Sequence, residues 1–290
     1  MRGGRERFAL LLPALGLLAL MVALPVLRVV QLSFMRVELD GGIRTEWAGF
    51  DLYARLWQDG RWWRALANTL VFTGASVLLE TVLGVAFALA LHRRFRGRGL
   101  VRSFMMLPWA LPTAVMALAW AWIFNDSFGV ANDVLRRAGL LAHPVAWLGA
   151  PATAMAALVV ADAWKTTPFV ALIVLAGLQG IPESILEAAK VDGLGSAQRF
   201  RNVVLPLLAP SLLVAVLFRA VQAYGAFDLV YVMTGGGPGG STETVSLYAF
   251  QSYFRYLDFG YGSAVAIQGV LLALALTTVG LRLVRAREGA

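Results

Sequence analysis

Cysteine is absent from this sequence, and histidine and lysine occur only twice each. Disulfides, zinc–thiolate centres and thiol nucleophiles are thereby excluded. His92 and His143 fall in separate predicted loops on opposite sides of a membrane, so no histidine metal site is expected. Charge is also scarce: 14% of residues are charged, where a soluble domain carries about 25%. The phosphate-cradling pattern G-x-x-x-x-G-K-[ST] is missing. Its nearest approach, Gly235–Ser241, lacks the lysine. The same run satisfies G-x-G-x-x-G through Gly235, Gly237 and Gly240, but it contains Pro238 and follows an apolar span instead of a strand. A dinucleotide fold is therefore not expected, and the run reads as a flexible outer turn touching another protein.

What is present is apolar. Hydrophobic residues make up 59% of the 290, against roughly 45–50% in soluble domains, and one globular core cannot hold that surplus. The formal charge of +8 would suit a nucleic-acid binder, but such a protein gathers its arginines on one wet patch. Here they punctuate apolar runs, and nucleic acid is not an expected partner. Six runs are long enough to cross a bilayer as helices: Phe8–Met35, Ala65–Leu91, Ser103–Phe124, Ala152–Gln179, Leu205–Thr234 and Gly260–Leu281. The first follows Arg2, Arg5 and Arg7 like a signal peptide, yet it outlasts a signal's apolar region and shows no cleavage site, so a retained anchor is expected.

Lys and Arg concentrate on one side of these spans. With both termini inside, the inner segments hold 14 in about 52 residues and the outer ones 8 in about 80, and the inner side includes the His92–Arg102 cluster. The outer segments carry Trp47, Trp57, Trp62, Trp63 and Trp147, expected to lie at headgroup level or to pack on one another. The expectation is an all-α integral membrane protein with six transmembrane helices in a single domain, 1–290, and both termini cytoplasmic.

The inner segment 180–204 has a readable physics of its own. Pro182 suits the first turn of a helix, and Glu183 and Glu187 lie near its positive end. Gly193 and Gly195 can stop that helix, and Ser196 can cap a second one running to Pro206. Two short angled helices outside the bilayer are expected, shaped either to enter a partner's groove or to rest on the membrane surface.

The segment also resembles the signature of membrane subunits of bacterial binding-protein-dependent ABC importers. That signature is Glu-Ala-Ala, three residues, Gly, nine residues, Ile, one residue, Leu-Pro. Glu187, Ala188, Ala189, Gly193, Leu205 and Pro206 match it; Val203 replaces the Ile, and Asp192 is a common residue before the Gly. Leu194-Gly195 departs from the usual Ala-Ser. Further runs resemble the sugar-importing branch of the larger-maltose-permease type: DAWKTTPF at 162–169, AGLQGI at 176–181, TGGGP at 234–238 and FGYGSA at 259–264. WWRALANTL at 62–70 and the run 217–236 bring the likeness closest to permeases of trehalose importers.

The resemblance implies a type I ABC importer permease fold and no enzyme activity or cofactor in this chain, with ATP and Mg bound by two partner ATPase subunits. It implies a second permease subunit, an extracytoplasmic sugar-binding protein, a disaccharide of the trehalose/maltose class, and a bacterial inner membrane. Glu187, Ala188, Ala189, Asp192 and Gly193 would couple the chain to the ATPase. Gln222, Tyr224, Asp228 and Gln268, on the fifth and sixth spans, would face the sugar.

Charges inside the spans need partners or a wet cavity. Arg28 lies near a span end and can snorkel. Asp162 and Lys165, three apart on one helical face, can pair. Arg219 needs a carboxylate, and Glu80 or Asp228 can supply it.

Overall fold

A computed structural model describes residues 3–38, 44–93 and 95–288. Arg2 and Arg94, counted toward orientation, lie outside the described residues. Apart from one hairpin, every described element is helical. α1 (Gly3–Leu18) passes through a π-helical turn into α2 (Leu24–Leu32). A hairpin of β1 (Met35–Glu38) and β2 (Arg44–Trp47) follows, antiparallel with Met35 opposite Trp47. After it come α3 (Asp51–Gln58), α4 (Gly60–His92), α5 (Arg98–Ala110), α6 (Thr113–Ile123), α7 (Val130–Arg137) and α8 (Pro151–Gln179). α9 (Glu183–Val191) precedes α10 (Ser196–Arg199), which runs through a π-helical turn into α11 (Leu205–Tyr224). α12 (Asp228–Met233), α13 (Val245–Phe250) and α14 (Phe259–Glu288) are the last described α-helices.

Five stretches are long and apolar enough to cross a membrane: Leu11–Leu32, Gly60–His92, Pro151–Gln179, Ser196–Tyr224 and Phe259–Arg282. The sixth is the bent pair α5 and α6, which meet at 93°. Six spans match the sequence reading, with two corrections. The run 103–124 is not one straight helix, because Pro112 removes a backbone donor and holds Leu111 extended. The run 205–234 is not one helix either: it stops at Tyr224, and α12 restarts at Asp228 after Gly225–Phe227. Apolar residues continue across both breaks, so hydropathy alone passes over them.

The described chain forms two compact units, one of residues 1–63 with 248–272 and the other of 64–247 with 273–290. In the second, Ala88, Leu91, Val170, Val174, Leu175, Leu178, Leu208 and Ala215 pack where α4, α8 and α11 meet. Small residues allow that approach, as is common between membrane helices. A Cβ at Gly84 would lie 2.6 Å from Val170 Cγ1, and one at Gly177 would collide with Ser211 Oγ. The loop between α6 and α8 folds around Asn132, whose Oδ1 accepts from Val145 N–H at 3.0 Å and Trp147 Nε1 at 2.9 Å. Trp147 also packs on Phe124.

The first unit holds a polar knot. Tyr248 and Tyr261 both donate to Asp59 Oδ2, the latter at 2.6 Å. Arg61 donates to Gln251 Oε1 at 2.6 Å and lies over the Tyr248 ring, while Arg55 pairs with Asp258 at 2.8 Å. Trp57 and Trp63 pack on each other and Trp47 stacks on Phe34, so these tryptophans do pack among aromatic neighbours. Burial works to raise the Asp59 pKa, but hydrogen bonds from both tyrosines and from the Arg61 and Trp62 backbone outweigh it and hold it below the ordinary aspartate value. A carboxylate depressed in the folded state stabilises at neutral pH and loses that contribution as pH falls through its folded pKa. Asp59→Asn should therefore lower the melting temperature at pH 7 and narrow the gap to the parent protein under strong acid. Thermal melts across pH test this; a gap that widens with acid contradicts it.

Candidate functional site

The charged residues of the spans converge. Arg219 on α11 is 3% exposed and Glu80 on α4 is fully buried. Their pairing is bidentate: Arg219 Nε donates to Oε2 and Nη2 to Oε1, the latter at 2.9 Å. Nη2 also reaches Asp162 Oδ2 at 3.0 Å, and Nη1 reaches Gln222 Oε1 at 2.8 Å. One guanidinium thus binds three helices, α4, α8 and α11, and fixes the Gln222 amide. Bidentate geometry is what makes Arg suited to such a buried pair. Of the two carboxylates considered for Arg219, Glu80 is the partner and Asp228 is not.

The expected Asp162–Lys165 pair does not form. Asp162 turns to Arg219, and Lys165 Nζ donates instead to the Leu111 carbonyl and Thr113 Oγ1, both at 2.8 Å. Helical spacing shows which groups share a face, not which neighbouring helix competes for them. Arg28, as expected near a span end, is not buried and donates to Gln31 Oε1 at 2.6 Å.

Around this network lies a cavity of about 430 Å³. Trp109 and Phe227 supply aromatic faces. Asp162, Lys165, Thr166, Arg219, Gln222 and Asp228 supply donors and acceptors, and Thr113 adds a hydroxyl. A larger groove of about 800 Å³ is lined by residues such as Leu83, Phe87, Phe104 and Trp164. It would leave the hydroxyls of a polar solute without partners, so the smaller cavity is the candidate site.

Two of the four residues expected to face a solute, Gln222 and Asp228, line this cavity. Tyr224 does not. It is 5% exposed and lines a separate cavity of about 270 Å³ with Leu70, Thr73 and Thr277. Two residues on a helix are about 200° apart, which sends Tyr224 to the face opposite Gln222. Gln268, half-buried on α14, belongs to the other compact unit. Trp109, Thr113 and Phe227 were missed because they sit at helix breaks that hydropathy does not reveal. Pro112 and Gly225 were the available signals.

At the loop between α8 and α11, Pro182 is the cap of α9, one residue before its first turn. α9 ends in a Schellman turn: Gly193 N–H donates to Lys190 O at 3.0 Å and Leu194 N–H to Ala189 O at 3.2 Å. Gly193 has φ +76°, a conformation that a side chain disfavours. The second short helix is not separate. Gly195, not Ser196, caps it, with Gln198 Oε1 accepting from the Gly195 N–H at 3.1 Å. From Ser196 the chain stays helical for 29 residues to Tyr224. Glu187, Ala188, Asp192 and Gly193 are exposed, while Ala189 is buried within the chain. The exposed face of α9 therefore ends one short turn from a continuous helix that carries Arg219 and Gln222 at its far end.

The glycine-rich run is braced. Thr242 Oγ1 donates to Gly237 O at 2.7 Å, Thr234 and Thr242 hydroxyls lie 2.8 Å apart, and Asn68 Nδ2 donates to the Gly240 and Glu243 carbonyls. Gly235, Gly236, Gly239 and Gly240 all have positive φ, so glycine serves the turn's shape where the sequence reading expected flexibility.

Comparison with known proteins agrees with this geometry. Residues 80–288 match the family described as binding-protein-dependent transport system inner membrane component. The chain is 41% identical over 287 residues, 99% of its length and 96% of the relative's, to the trehalose/maltose transport system permease protein MalF of Thermococcus litoralis. It is 41% identical over 279 residues, 96% of the chain and 90% of the relative, to the sulfoquinovosyl glycerol transport system permease protein SmoG of Agrobacterium fabrum. Among solved structures, a bacterial ABC transporter involved in alginate import superposes with a TM-score of 0.83 at 22% identity, covering 97% of this chain and 95% of that one. With its spans, its exposed α9 and its polar cavity, the chain belongs to the inner membrane components of binding-protein-dependent transport systems and is a permease subunit of an ABC transporter.

Proposed function

We propose that this chain forms one half of the pathway by which a small glycoside enters a bacterial cell across the inner membrane, with both termini in the cytoplasm. The observation that carries the reading is the cavity beside Arg219. Its volume of about 430 Å³ falls in the roughly 300–1,000 Å³ range of small-molecule sites. It combines aromatic faces, on which a sugar ring can stack, with amide, carboxylate, ammonium and hydroxyl groups that can satisfy sugar hydroxyls. The names of the relatives, which include trehalose, maltose and sulfoquinovosyl glycerol, favour a disaccharide or similar glycoside.

A second permease would complete the pathway, an external binding protein would deliver the sugar, and two ATPase subunits would bind ATP and Mg. Glu187, Ala188, Asp192 and Gly193 on the exposed end of α9 would meet the ATPase; Ala189, being buried, would support that face from behind. ATPase closure would move α9, and the helix from Ser196 to Tyr224, about 43 Å long at 1.5 Å per residue, would carry the motion to Gln222.

Asp228→Ala and Gln222→Ala should each raise the KM of ATP-driven disaccharide uptake about tenfold with complex assembly unchanged, the size expected for losing one strong hydrogen bond. Tyr224→Phe, on the opposite helical face, should leave KM alone. Unchanged KM in both cavity variants rules this site out.

A further inference from the structure

The break between α5 and α6 interrupts the backbone hydrogen bonding of the bent pair. Pro112 has no N–H, and Leu111 (φ −72°, ψ 139°) turns its carbonyl out of both helices. At membrane depth such a carbonyl is tolerated only against protein or a wet cavity. Lys165 meets it. The ammonium donates to Leu111 O before the proline and to Thr113 Oγ1 after it, 2.8 Å to each. It also lies at the C-terminal end of α5, where the helix dipole favours a cation. Asp162, one turn away on α8, is occupied by Arg219. Trp109 lies in the last turn of α5 and Thr113 begins α6, and both line the cavity together with Lys165.

We propose that Lys165 is a positioning residue that fixes the 93° bend of the third span and so presents Trp109 and Thr113 as one wall of the solute cavity. Its consequence for uptake rests on the cavity being the sugar site; its hold on the bend does not. A methionine at 165 keeps the stem and removes every donor. An arginine keeps the charge and can reach both acceptors with a fork of different shape.

The absence of cysteine allows the bend to be measured directly. Leu107→Cys and Leu118→Cys, each 56% exposed and on opposite sides of the break, would carry spin labels in the importer assembled in nanodiscs with cysteine-free partner subunits. Pulsed electron resonance should give one narrow distance with Lys165, a broadened or shifted one with Lys165→Met, and a largely restored one with Lys165→Arg. Lys165→Met should also raise the uptake KM about tenfold at little-changed maximal rate, because Trp109 and Thr113 would no longer be held as a wall of the cavity. If Lys165→Met does not assemble, Thr113→Val removes one acceptor and should broaden the distance to a smaller degree. An unchanged distance distribution overturns the proposal, and so does a changed distribution with unchanged KM while Asp228→Ala and Gln222→Ala do raise it. A changed distribution when no cavity variant alters KM supports the hold on the bend and removes the sugar site instead.

Discussion

Arg219→Leu should destabilise the permease by about 3–5 kcal/mol, the cost typical of stranding buried charge. Glu80 is fully buried and takes two hydrogen bonds from the guanidinium; Asp162 takes a third and Gln222 a fourth. Leucine fills much of the volume and supplies no donor, so a carboxylate is left in a place water does not reach. The loss should depend on that charge. Glu80→Gln alone should cost less than Arg219→Leu, and placing it in the Arg219→Leu background should recover a large share of the lost stability. Thermal unfolding of the four purified proteins closes the cycle. Strictly additive costs would show that the pair is not coupled, and the network would then not be what joins α4, α8 and α11.

Glu187→Arg should disconnect transport from ATP hydrolysis. The side chain is exposed on α9, far along the chain from the cavity, so the folded permease should tolerate the change. At the ATPase-docking face proposed for α9, reversing a charge should cost about 2–5 kcal/mol, which predicts at least a 30-fold fall in ATP-driven uptake. Inserting two glycines between Gly195 and Ser196 tests transmission separately from docking. It leaves the α9 surface intact and lengthens the turn that joins α9 to the helix ending at Tyr224. Uptake should fall while the ATPase subunits still copurify. Normal uptake in the insertion variant would mean that motion reaches the cavity by another route.

Much of this was legible in the residues because lipid imposes so simple a rule. Apolar runs of sufficient length must be helices, and each of the six runs overlaps a helix or the bent pair, although the run read as 205–234 corresponds to a helix from Ser196 to Tyr224. The end of α9 was equally legible, since Gly193 supplies the positive φ that a Schellman turn needs. What stayed hidden depends on three dimensions. Leu111-Pro112 and Gly225–Phe227 interrupt helices inside runs that are apolar on average, and a hydropathy window averages over them. Asp162 and Lys165 share a face and looked like a pair, but Arg219 from α11 takes the acid and the α5–α6 break takes the base. Tyr224 and Gln222 looked equivalent as polar residues of one span, although helical geometry sends them to opposite sides. The glycine-rich turn looked flexible because composition does not show the Asn68 and Thr242 hydrogen bonds that hold it.

Uptake of a labelled disaccharide into proteoliposomes containing this chain with its sister permease and ATPase subunits is the most direct test. Accumulation should require ATP on the ATPase side and the binding protein on the other, and it should fall at least 30-fold in the Glu187→Arg complex. Accumulation by this chain alone, or without ATP, would contradict a permease driven from outside itself.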